Sequence, residues 1–111
     1  MLIHEALAPN LVGLVGEAAL KAGRTNVATI MRDIVSYHTT PEQAATIAQR
    51  AAVGYLLLHH IVPPIPFEAL EGPFLGRARS LYKGPLRVGR DGDFVSLPAG
   101  SKAIDVSNRL R

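Results

Sequence analysis

Apolar residues recur at helical spacing through the first third of the chain. Leu11, Leu14, Val15, Ala18 and Ala22 fall on one stripe of a helix that opens at Pro9 and Asn10 and stops at Gly23. Val27, Ile30, Met31, Ile34 and Val35 draw a second stripe behind a cap at Thr25 or Asn26. Thr40-Pro41-Glu42-Gln43 is a start signal for a third helix. Threonine caps, proline suits the first helical position, and glutamine three residues after the threonine closes a capping box. That helix is expected to run to Ile61, because Val62 precedes a proline and is pushed away from helical angles. Its row of Ala44, Ala48 and Ala52 predicts the close approach of another helix. The run Tyr55-Leu56-Leu57-Leu58 is apolar all round, which predicts burial on most sides.

Four prolines and a glycine (Pro63, Pro64, Pro66, Gly72, Pro73) then mark a stiff connector over residues 63–76. Phe67 and Phe74 are expected to anchor it on the helices. Beyond it the period changes to alternation. Leu86 and Val88, Val95 and Leu97, and Ile104 and Val106 predict three short strands, with Arg90-Asp91-Gly92-Asp93 as a hairpin turn. The expected fold is α+β in a single domain: a helical part over 9–62, the Pro-rich connector, and a small antiparallel three-stranded meander in the basic part, 77–111.

Composition narrows the function classes. With 48% apolar and 19% charged residues the 111-residue chain has the makings of a core and is not a disordered tail. It has no cysteine, so disulfides, thiolate metal sites and cysteine nucleophiles are excluded. An aromatic content of 5% is too sparse for a base-stacking surface of several rings. The most apolar window, 44–62, contains Gln49, Arg50, His59 and His60, and a central arginine costs about 2.5–3.5 kcal/mol on insertion. A cytoplasmic protein with no membrane partner is expected.

Charge is unevenly spread. Residues 1–76 hold four bases and six acids, whereas residues 77–111 hold eight bases and three acids. Arg77, Arg79, Lys83, Arg87 and Arg90 are the candidates for gripping nucleic acid, should the fold gather them on one edge.

No constellation of catalytic type emerges. His59 and His60 are adjacent, so on a helix they point about 100° apart and do not share a metal. His4 and His38 stand at no metal-type spacing from them. Asp33, Ser36 and His38 lack a nucleophile elbow, and the glycines between Gly84 and Gly92 read as a turn rather than a phosphate loop. Asp91 and Asp93 read as turn residues. No enzyme activity, metal or cofactor is expected.

One local stretch resembles a known family. Ile47-Ala48-Gln49-Arg50-Ala51-Ala52-Val53-Gly54 is similar to the core of a helix-turn-helix, and its flanks resemble the tetracycline-repressor kind of DNA reader. The resemblance implies a degenerate helix-turn-helix over 40–61. Ala52 stands where the turn glycine would be, and the helix that would read DNA is rich in leucine.

The first expectation is therefore a non-catalytic accessory or regulatory protein, of small bacterial or phage type. It would bind a protein partner, or a second copy of itself, through Tyr55, Leu56, Leu57 and Ile61. The alternative is a nucleic-acid-binding regulator that uses the degenerate motif and the basic segment.

Overall fold

The computed structural model describes residues 1–111 and places two small sheets beside a helical layer. The first strand, β1 (Leu2–Leu7), leads into α1 (Pro9–Lys21) and α2 (Thr25–Asp33), which form where the apolar stripes predict them. A 3-10 turn, Ile34–Tyr37, then joins α2 to α3 (Pro41–Arg50). The capping box at Thr40 is complete. Its hydroxyl accepts from the Gln43 N–H at 3.1 Å, and the Gln43 side chain accepts from the Thr40 N–H at 2.9 Å.

The third helix does not continue to Ile61. Ala52 takes a positive φ of 52°, and the Val53 N–H reaches back to the Ala48 carbonyl at 3.2 Å, so the helix closes in a Schellman-type turn. The chain re-enters as strand β2 (Leu56–Val62), the middle strand of a parallel sheet ordered β1-β2-β3, with β3 at Leu86–Val88. The cause is general: a short run that is apolar on every side fits a parallel strand covered on both faces as well as it fits a buried helix. The helix-turn-helix expectation goes with the helix, because the stretch that would read DNA is a strand.

Short helices α4 (Glu71–Leu75) and α5 (Ala78–Leu81) connect β2 to β3, and the chain ends in an antiparallel pair, β4 (Asp93–Ser96) and β5 (Asp105–Asn108). The expected arrangement of three N-terminal helices and a three-stranded antiparallel meander is thus overturned. Three strands are parallel and two antiparallel, and the first strand of the chain had no counterpart in the sequence reading.

The core lies between α3, α5 and the parallel sheet. Ala44, Ala45 and Ala48 are fully buried against Leu56, Leu58, Phe74, Leu75, Ala78 and Tyr82. The alanine row does admit a close helix, and that helix is α5. The Tyr82 hydroxyl donates to the Val53 carbonyl at 2.7 Å, satisfying the end of α3. Phe74 is buried, as expected, but Phe67 is 68% exposed and anchors nothing.

Candidate functional site

Parallel sheets place their sites outside the carboxyl ends of the strands. Here those ends carry Glu5 on β1 and His60 on β2, and the segment before α3 brings up His38. One ligand atom from each of the three lies within 4.8 Å of the others.

Each of the three is held by backbone design. Glu5 is clamped at both carboxylate oxygens: Oε2 accepts from His38 Nδ1 at 2.9 Å and Oε1 from the Thr39 N–H at 2.7 Å. The Leu7 N–H donates to the Thr39 carbonyl at 2.8 Å, so the His38-Thr39 segment is tied to β1 on both sides. The capping box fixes it from the α3 end. An ionised carboxylate only accepts, so Nδ1 of His38 carries the hydrogen and Nε2 is left free. Burial works to raise the Glu5 carboxyl, but the bonds from His38 and Thr39 outweigh it and hold the group below the usual carboxylate range.

His60 arrives through a β-bulge. The β1–β2 register runs from Glu5 opposite His59 to Ala6 opposite Ile61, leaving His60 unpaired with a positive φ of 47°. Bulges re-aim side chains next to functional sites, and left-handed backbone in a non-glycine residue is tolerated where the surroundings impose it. The result is a near-parallel pair of imidazoles, His38 and His60, with ring centroids 5.6 Å apart. His59 is not part of the group. His38 and His60 stand at no metal-type spacing in the sequence, yet the fold stacks them. A bulged strand was the missing signal, and neither the bulge nor the 33-residue link from Glu5 to His38 is written in local spacing.

A carboxylate with two imidazoles is a donor set suited to zinc or another first-row divalent ion. The fit is good for His60 and for the free Nε2 of His38. Glu5 serves from behind, since both its oxygens are occupied by His38 and Thr39. Beside His60 opens a cavity of about 820 Å3, lined also by Pro64, Pro66, Phe67, Arg90 and Arg111.

The remaining sequence candidates fall elsewhere. Leu56 and Leu57 are buried in β2, and Tyr55 and Ile61 are partly covered, so this stretch is core rather than open surface. Arg77 and Lys83 are exposed, while Arg79 donates to the Leu86 carbonyl at 3.1 Å. Arg87 is committed to Asp93, through bonds of 2.8 and 2.6 Å. Arg90 is committed to Glu68 at 2.8 Å and to Glu71 at 2.7 Å. The five bases therefore do not make one free cationic edge.

No family model matches the chain. Individual proteins do. A ribonuclease Z of Mycobacterium sp. (strain KMS) is 31% identical over 90 residues, covering 81% of this chain and 27% of that protein. A ribonuclease Z of Mycolicibacterium gilvum is 54% identical over 61 residues, 55% of this chain and 21% of that protein. One from Mycobacterium avium is 37% identical over 79 residues, 68% and 28% of the two chains. The chain spans about a quarter of the length of the curated relatives it matches. These relatives overturn the expectation of a non-catalytic accessory or regulatory protein, because they point to a nuclease. No helix is long and apolar enough to cross a membrane.

Proposed function

We propose that this chain bears metal-holding residues of a metal-dependent hydrolase that cleaves phosphodiester bonds in RNA. The observation that carries the reading is the convergence of Glu5, His38 and His60 at the carboxyl ends of β1 and β2. The similarity to proteins named ribonuclease Z supports the choice of RNA as substrate. The same reading puts the chain in the cytoplasm.

The roles follow from the hydrogen bonds. Glu5 holds the Nδ1–H and the plane of His38, which leaves Nε2 available to a metal ion, the arrangement by which an outer carboxylate orients a metal-binding imidazole. His60 and His38 would each supply an imidazole nitrogen to a divalent ion, and that ion would polarise the phosphoryl group and lower the pKa of a bound water. In the reaction water adds to phosphorus and the P–O bond to the leaving ribose oxygen breaks. The proton that the water gives up reaches that oxygen through solvent.

The test is cleavage of a labelled single-stranded RNA by the chain with zinc or manganese, compared with His38→Ala and His60→Ala. His38→Ala should lower the rate by more than the roughly 100-fold of an outer-shell change while the fold stays intact by circular dichroism. Cleavage that is unchanged in both variants, or absent with every divalent ion, contradicts the reading.

A second role, association with a protein partner or a second copy, is supported by exposed apolar side chains other than those the sequence suggested. Leu14, Leu20 and Ile30 on α1 and α2 are 62%, 61% and 51% exposed, and α2 has no buried residue. Leu20→Asp with Ile30→Asp should turn an associated species into a monomer in sedimentation velocity. Identical sedimentation of variant and parent contradicts that role.

A further inference from the structure

We propose that Phe67 is a stacking platform for a nucleobase of the RNA substrate, next to the phosphate that is cleaved. The inference rests on the hydrolase reading above and adds to it a position-specific contact.

Phe67 lines the cavity that also contains His60, so a ligand reaching one borders the other. The cavity, about 820 Å3, is of the size that takes a nucleotide. Phe67 is 68% exposed although it is one of only three phenylalanines in the chain, and a ring of that kind ordinarily goes to the core, as Phe74 does. The backbone that carries the exposed ring is also held from both sides. Before it stand Pro63, Pro64 and Pro66, which restrict the backbone. Just after it, Glu68 and Glu71 are gripped by the two ends of the Arg90 guanidinium, at 2.8 and 2.7 Å. Arg90 is in turn fixed through its N–H, which donates to Asp93 Oδ2 at 3.0 Å. Ordering the backbone under an exposed apolar ring in advance removes the entropy cost of ordering that backbone on binding.

Electrostatics decides which part of a nucleotide the cavity takes. Glu68, Glu71, Asp91 and Asp93 line it against Arg90 and Arg111, and Arg90 is already neutralised by its two glutamates. A phosphate would meet net negative charge there. An uncharged base meets a phenyl ring with proline beside it, and base–aromatic stacking is tolerant of sequence. The phosphate is then left to the His38–His60 side.

The experiment uses two oligoribonucleotides, one intact and one with an abasic ribose beside the scissile phosphate. Phe67→Ala should raise KM for the intact RNA about 10-fold or more with kcat little changed, leave the abasic RNA unaffected, and be rescued by Phe67→Tyr. In parallel, Phe67→Trp introduces the chain's sole tryptophan, whose emission should be quenched by the intact RNA and not by the abasic one. Intact RNA cleaved equally well by parent and Phe67→Ala, with no quenching of Phe67→Trp, overturns the stacking role while leaving the hydrolase reading standing. Failure of the parent to cleave either RNA, with quenching retained, overturns the hydrolase reading instead.

Discussion

His38 donates from Nδ1 to Glu5 Oε2 at 2.9 Å, joining a histidine ahead of α3 to a strand residue 33 positions earlier. The bond sets the hydrogen on one ring nitrogen and leaves the other unengaged, in a ring stacked on that of His60. Glu5→Gln offers a single acceptor where two donors converge, so either His38 or Thr39 loses its partner. RNA cleavage should fall about 10- to 100-fold, the range seen when an orienting partner is lost. Steady-state kinetics checks this, and a variant with parental kcat contradicts the orienting role.

The two phenylalanines of the connector should separate cleanly. Phe74 is 2% exposed in the main core, so Phe74→Ala should cost about 3–5 kcal/mol in urea denaturation. Phe67→Ala, at an exposed position, should stay within about 0.5 kcal/mol of the parent. Comparable losses from both would show that Phe67 is structural.

Asp93 gives the chain an acid-sensitive joint. The guanidinium of Arg87 bonds it in a bidentate pair, Asn108 and the Arg90 N–H donate to it as well, and the carboxyl is held far below the usual range against the opposing effect of burial. A carboxyl whose folded value is depressed binds protons more readily when unfolded, so its contribution is whole above the unfolded value of about 3.9 and drains away as pH falls below it. Stability should therefore begin to drop near pH 4 and go on falling as the pH is lowered further, and Asp93→Asn should flatten that part of the curve while lowering stability at pH 7. Denaturation midpoints at pH 7, 5, 4 and 3 are the check. An identical slope in the variant refutes it.

Tyr82 and Gly84 should behave as one unit. Tyr82→Phe strands the Val53 carbonyl at the close of α3, at a cost of about 1–3 kcal/mol. A Cβ at Gly84 would strike the Tyr82 hydroxyl and the ring carbon that bears it, so Gly84→Ala should push the hydroxyl off Val53 and also destabilise. If the damage runs through the hydroxyl, Tyr82→Phe with Gly84→Ala should lose less than the sum of the two single changes. Simple additivity in thermal or urea unfolding contradicts the shared cause.

The elements legible in the sequence are those whose signals are local. The helical periods of α1 and α2 and the capping box of α3 need only neighbouring residues, and those helices form there, but the stripes are not the buried faces: α1 buries Val12 and Ala19, and α2 buries no residue. The end of α3 was hidden because Ala52, rather than a glycine, takes the left-handed position. Leu56, Leu57 and Leu58 look alike to a helix and to a covered strand, and only the company of β1 and β3 selects the strand. The site suffered most. Its three members come from positions 5, 38 and 60, and their meeting depends on parallel pairing and on one bulge at His60. The basic segment was visible as charge, but the partners that occupy Arg87 and Arg90 are set by the hairpin and by the Glu68–Glu71 turn.

The most direct test of the account is zinc binding by the chain, measured by isothermal titration calorimetry at neutral pH. The account predicts saturable binding at one site in the parent, lost in His60→Ala and weakened about 10- to 100-fold in Glu5→Gln, with all three proteins giving the same circular dichroism spectrum. Zinc affinity in His60→Ala equal to that of the parent would contradict it, because the ion would then reside away from Glu5, His38 and His60.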